Sequence, residues 1–136
     1  MADNNIQTRL IESAQAIIKA RYKENYHHVG AALITKSGRE FAAVHLEANV
    51  GRIAVCAEAV ALGMAAAEGD TEIALIVAVI ETGQVVSPCG MCRELISDYA
   101  PDALVIVPDA VGEELRPDAG GTGVVPISDL LPNKYR

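Results

Sequence analysis

The chain has three cysteines, and they fall in only two places. Cys56 opens the stretch Cys56-Ala57-Glu58, and the other two form Pro88-Cys89-Gly90-Met91-Cys92. Cys56 and Cys89 stand 33 residues apart, each at the start of a segment that reads as a helix. An odd count that includes a C-x-x-C pair argues against a disulfide framework. Reduced, metal-bound thiols fit better, and with them a cytoplasmic location. If one ion joins all three sulfurs, two helix N-termini must meet at one edge of the fold.

The rest of the chain supplies what those helices cover. Ile6 to Tyr22 reads as an amphipathic helix, with Ile6, Leu10, Ala14, Ile17 and Ile18 on one face. Val29 to Thr35 and Glu40 to Leu46 read as two strands joined by Lys36-Ser37-Gly38-Arg39, with glycine where a hairpin needs positive φ. Glu47 to Ala54 is a loop. Val55 to Glu68 is a helix apolar almost all round, which predicts burial. Ile73 to Ile80 is a continuous apolar run, the pattern of a strand covered on both faces. Cys89 to Tyr99 is a third helix, stopped before Pro101, and Leu104 to Val107 is another strand. Asp109 to Thr122 is a turn-rich excursion, after which Val124-Val125 adds a last strand and Ser128 to Leu131 a short helical turn. The order α-β-β-α-β-α-β-β predicts a three-layer α/β/α sandwich with a mixed five-stranded sheet.

The 136 residues suit a single domain spanning 1–136. Half the residues are hydrophobic, yet tryptophan is missing and phenylalanine occurs once, so Ala, Val, Ile and Leu must build the core. The formal charge of −7 is opposite to the basic footprint of a nucleic-acid binder. No apolar run is long enough to span a bilayer, and the polar start of the chain lacks a signal pattern. The expected partner is therefore a small molecule, with no nucleic acid and no membrane.

The residue types at the two cysteine segments have a definite chemistry. Three thiolates from Cys56, Cys89 and Cys92 hold one Zn²⁺ and leave a fourth position for water. Such a centre is net negative, which makes the water less acidic unless something offsets the charge. Two helix N-termini each present roughly half a positive charge, and Arg93 is placed to donate to a thiolate. Glu58, two residues beyond Cys56, approaches the open position without ligating and is placed to move protons. Two other readings stand beside this one. His27, His28 or His45 as a fourth ligand would close the site and make the zinc purely structural, in a non-catalytic binding module. A redox role for C-x-x-C would leave Cys56 and Glu58 unexplained.

Cys56-Ala57-Glu58 with Pro88-Cys89-Gly90-x-Cys92-Arg93-Glu94 resembles the paired zinc motifs of the cytidine deaminase family. Val29-Gly30-Ala31-Ala32-Leu33 is similar to that family's first strand, and Leu130-Leu131-Pro132 to its C-terminal segment. Within the family the chain resembles the small homotetrameric class that includes blasticidin-S deaminase.

The resemblance implies zinc-dependent hydrolysis of the 4-amino group of a cytosine nucleoside, with release of ammonia. Cytidine or deoxycytidine is the leading substrate, and blasticidin S or another amino-heterocycle the alternative. It makes Cys56, Cys89 and Cys92 the zinc ligands and Glu58 the proton shuttle. The Ala57 N–H would bind the pyrimidine carbonyl, and the Ser87 or Pro88 carbonyl the exocyclic amine. It also implies a homotetramer with shared active sites. Where family members carry N-x-E to hold ribose, this chain has His45-Leu46-Glu47, and after Glu58 it has Ala59 where an arginine is common. These departures pull the substrate away from plain cytidine.

Overall fold

The computed structural model describes residues 3–109 and 121–136, so most of the excursion expected between Asp109 and Thr122 lies outside the described residues. The elements are α1 (Asn4–Arg21), β1 (Val29–Thr35), β2 (Glu40–Val44), α2 (Ala57–Ala67), β3 (Ile73–Ile80), β4 (Val85–Val86), α3 (Gly90–Tyr99), β5 (Leu104–Pro108) and β6 (Thr122–Pro126). Short 3-10 turns cover Gly51–Ile53 and Ile127–Leu130. Among the described residues, no helix is long and apolar enough to cross a membrane.

The sheet is mixed and has six strands, not the expected five. Its main path runs β2-β1-β3-β5-β6. The extra strand, β4, is only two residues long, too short for an alternation pattern to announce it. It pairs antiparallel with the second half of β3, Ala78 with Val86 and Val79 with Val85. The first half of that edge takes β5 instead, parallel, through Leu75 and Ile76. β1 runs antiparallel along the other edge of β3. β4 therefore ends where β3's partner changes, and Ser87-Pro88-Cys89 leave the sheet at that point.

Helices cover both faces, as the continuous apolar run of β3 requires. Leu10, Ala14 and Ile18 of α1 pack against Ala32, Ile34, Leu75, Val77, Val79 and Ile106. The alternate residues of the same strands, Leu33, Ile76, Val105 and Val107, face Ala61, Leu62 and Ala65 of α2 and Cys92 and Ile96 of α3. Each fully buried aliphatic side chain contributes about 1.5–3 kcal/mol, so these two layers carry the stability. A third, small cluster joins Ala31, Ala57 and Ala78 where α2 begins. Alanines there let the helix start close to the sheet.

Several boundaries differ from the sequence reading. α1 begins earlier because Asp3 caps it, its carboxylate accepting from the Ile6 N–H at 2.9 Å. β2 ends at Val44, and Leu46 instead forms an isolated bridge with Val55. That bridge keeps Val55 out of α2 and leaves Cys56 as its N-cap. α2 ends in a Schellman motif at Gly69, with Asp70 N–H bonding the Ala65 carbonyl and Gly69 N–H that of Ala66. The helix is not buried all round: Gly63, Met64, Ala66 and Ala67 are exposed. The sheet covers only one side of it, whatever the polarity of the other.

Candidate active site

Cys56 and Cys89 occupy equivalent positions, as N-caps of α2 and α3 with extended backbone and no side-chain capping bond. Their carbonyls accept the first helical hydrogen bonds, from Val60 and Arg93. Cys92 follows one turn into α3 and is buried. All three sulfurs are free thiols lying within 4.8 Å of one another, and Cys56 and Cys89 are 3.3 Å apart. Tetrahedral zinc with Zn–S bonds near 2.3 Å spaces its sulfurs by about 3.8 Å, so separations of 3.3 Å and up to 4.8 Å suit that ion after a small adjustment. Among the described residues, this cluster has three members and no histidine.

Each histidine expected as a possible fourth ligand commits one ring nitrogen to the backbone. His27 Nδ1 donates to the His45 carbonyl at 2.8 Å. His28 Nε2 accepts from the Asn25 N–H at 3.0 Å. His45 Nδ1 accepts from the His28 N–H at 2.8 Å. Among the described residues the metal-competent group is thus the three thiols alone, one fewer than the four protein ligands of a closed structural zinc site.

Burial raises the Cys56 and Cys92 thiols above the usual range; Cys89 adds to this at Cys56, and the Glu58 charge at Cys92. Burial also pushes Cys89 up, but the Cys92 backbone N–H and the Cys56 thiol, as hydrogen-bond donors, outweigh it and leave Cys89 lowered. Of the three, Cys89 is therefore the thiol that gives up its proton most easily, and metal binding to the set is coupled to proton release.

Glu58 is the one charged residue in the buried set among the described residues, at 6% exposure. Burial raises its carboxyl, while its own backbone N–H pulls the other way. It lines a cavity of about 210 Å³ together with Cys56, Cys89, His45, Ala57 and Ser87. Val29, Ala54, Val55, Ala78 and Val86 complete an otherwise apolar wall. Ala57 is fully buried at the first position of α2, where a backbone N–H has no intrahelical partner. A larger hollow of about 620 Å³, between Ser97 and Arg136, holds no thiol and no histidine.

Other candidates fall differently. Pro88 is buried but does not line the cavity, and its carbonyl already accepts from Arg93 Nε at 2.8 Å. Arg93, expected to donate to a thiolate, gives its hydrogen bonds to Pro88 and, through Nη1 at 3.2 Å, to the Leu130 carbonyl. The two carbonyls, one just ahead of Cys89 and one from the C-terminal segment, take the donors that a thiolate would have used. Glu47 lies outside the cavity wall, its Oε2 being 3.7 Å from His45 Nε2. The brace formed by Arg93 and the backbone contacts of the histidines escaped the sequence reading, because both depend on which loops meet in space.

Comparison with known proteins places this geometry. The family model for the cytidine and deoxycytidylate deaminase zinc-binding region matches residues 4–107. A blasticidin-S deaminase of Bacillus cereus is 45% identical over 134 residues, covering 93% of this chain and 89% of that protein. A cytidine deaminase of Halalkalibacterium halodurans is 29% identical over 130 residues, covering 95% and 92%. Among solved structures, the cytidine deaminase of Mycobacterium leprae superposes with a TM-score of 0.78 at 26% identity, covering 96% of this chain and all of that one (100%). That of Burkholderia pseudomallei gives 0.75 at 32% identity, covering 94% and 98%. With its three thiols at two helix starts beside a buried glutamate, the chain belongs to the cytidine and deoxycytidylate deaminase family of zinc-dependent hydrolases.

Proposed function

We propose that this chain removes the 4-amino group of a cytosine nucleoside by hydrolysis, with Cys56, Cys89 and Cys92 as the zinc ligands and Glu58 as the proton carrier. The observation that carries this is the burial of Glu58 in the same small cavity as the cysteine set. When bound, Zn²⁺ supplies a water whose pKa falls from about 15.7 toward 7. Glu58, whose carboxyl burial raises above its ordinary range, takes up one proton from the attacking water. It passes that proton to the ring nitrogen, then takes the second proton of the same water and hands it to the amine, which leaves as ammonia. The Ala57 N–H, unpaired at the helix start, receives the pyrimidine carbonyl. The Ser87 carbonyl receives the exocyclic amine in preference to that of Pro88, whose oxygen Arg93 already engages. The apolar wall excludes bulk water from the base.

Two substrates compete within this class. The 45% identity to a blasticidin-S deaminase, against 29% to a cytidine deaminase, favours the antibiotic nucleoside. His45 in the cavity wall, with Glu47 3.7 Å from its Nε2, supports contact with a sugar hydroxyl and so keeps cytidine as the second reading. The chain also assembles as a homotetramer in this proposal. Leu46, Val50, Ile53 and Val55 stand exposed beside the cavity, and Met64 on the open side of α2, which gives neighbouring subunits an apolar surface. Free thiols suit the cytoplasm.

The test is ammonia release from cytidine, deoxycytidine, cytosine and blasticidin S by zinc-loaded protein, with Glu58→Gln alongside. Turnover of a nucleoside, reduced about 10²–10⁴-fold in Glu58→Gln with zinc retained, is the expected result. No release from any nucleoside, or equal release by the variant, would overturn the proposal.

A further inference from the structure

His45 is held by backbone on three sides. Its N–H donates to the Val29 carbonyl at 3.0 Å. Its carbonyl accepts from His27 Nδ1 at 2.8 Å. Its ring Nδ1 faces two amide donors, the N–H of His28 at 2.8 Å and that of Val29 at 3.3 Å. A backbone amide cannot reverse its polarity, so Nδ1 must be the bare nitrogen and the ring proton must sit on Nε2. Nε2 is then the nitrogen left for Glu47, whose Oε2 lies 3.7 Å away, and for a ligand in the cavity that His45 lines. That separation is too long for a direct hydrogen bond and leaves room for a bridging polar atom.

We infer that the His28 and Val29 amides lock His45 as a neutral Nε2–H donor in the cavity wall, making it a proton-sensitive positioning group for substrate binding. Protonation would set a third N–H against the two amides. The ring would have to turn away, leaving both amides without their acceptor and withdrawing the donor from the cavity. The groups that face His45 do not cancel this. Glu47 on its own strand end favours the proton, but the rings of His28 and His27, from the segment ahead of β1, oppose it. Glu58, Cys56 and Cys89 line the same cavity. Burial is the largest influence and lowers the ring below the ordinary histidine value of 6.5. The sign follows. A lowered pKa means the wall is intact above the unfolded value and is lost as pH falls through the folded one.

This inference rests on the reading that the cavity takes the substrate, and the experiment separates the two. In zinc-loaded protein labelled with ¹⁵N, the His45 ring is followed from about pH 7.5 to about pH 5, with zinc content measured at each step. The expected spectrum shows Nδ1 unprotonated and Nε2 protonated at the upper end. The His28 and Val29 amide signals then shift together with the ring as it titrates. A protonated Nδ1 at the upper end, or amides that ignore the titration, would overturn the lock whatever the substrate proves to be. In the kinetic arm KM rises about tenfold per pH unit below the ring's pKa while kcat is unaffected by that titration. His45→Asn keeps an acceptor at the Nδ1 position but cannot titrate, so its KM loses the acid limb. An acid limb of KM that persists in His45→Asn assigns the effect to another group and refutes the positioning role.

Discussion

Arg93 Nε donates to the Pro88 carbonyl at 2.8 Å, and the same guanidinium reaches the Leu130 carbonyl. Residue 93 thus ties the turn that delivers Cys89 to the C-terminal segment of the chain. It is placed to act on a metal at Cys89 through the backbone ahead of that residue. Outer contacts of this kind typically change metal affinity by 10–100-fold. Arg93→Ala should weaken zinc by about that factor, read by competition with a chromogenic chelator. Arg93→Lys should restore little, because one ammonium cannot span two carbonyls in the way the planar fork does. Unchanged affinity in both variants would remove the brace from the account.

Cys89 and Cys92 separate metal binding from packing. Cys92 is buried in the layer beneath α3, whereas Cys89 is exposed. Replacing Cys89 by alanine should cost the metal and little else. Cys92→Ala removes a ligand and also leaves a space in the core. Chelation should therefore lower the melting temperature of the wild type, while the Cys89→Ala protein melts at the chelated value and ignores further chelator. Cys92→Ala should melt lower still. Scanning calorimetry with and without chelator checks the order, and equal melting temperatures for the two variants would contradict it.

The two cysteine segments were legible because spacing, helix starts and ligand chemistry agree there without any knowledge of the fold. The three layers were legible for a related reason: β3 is apolar without interruption, and a strand of that kind needs cover on both faces. β4 was not legible, since two valines before Ser87 carry no period. Nor was the setting of His45. It depends on Asn25, which adopts a left-handed φ of 68° so that His27 and His28 fold back beside a strand end 17 residues on. Arg93 shows the same limit, because its neighbours in sequence include a ligand while its partners in space are carbonyls.

Asp70 links the end of α2 to the β1–β2 turn. Its carboxylate accepts from the Ser37 hydroxyl at 2.7 Å and the Thr35 hydroxyl at 2.8 Å. The Ser37 bond is the larger cause, the Thr35 bond the next, and together they hold the carboxyl below its ordinary value. A lowered acid contributes stability that is present above the unfolded pKa and lost as pH falls through the folded one. The wild type should therefore lose stability below about pH 4 partly through this group. Asp70→Asn should be less stable at neutral pH, with a shallower decline in acid. Parallel pH–stability curves for the two proteins would show that Asp70 carries none of this linkage.

Gly30 sets how closely α1 lies on the sheet. A Cβ at this position would stand 2.6 Å from the Ala14 carbonyl oxygen, 2.9 Å from Ile18 Cβ and 3.1 Å from Ile17 Cγ2. The first of these atoms is helix backbone, which cannot rotate aside as a side chain would. Gly30→Ala must therefore push α1 outward along its contact with β1 and β3, loosening the layer built on Leu10, Ala14 and Ile18. Overpacking of this kind costs about 1–3 kcal/mol. α1 lies on the face of the sheet opposite the cysteines, so zinc content should stay that of the wild type. Urea unfolding should show a lower midpoint with an unchanged slope. A midpoint equal to the wild type's would mean that α1 can retreat from β1 at no cost, and that the glycine is not what brings them together.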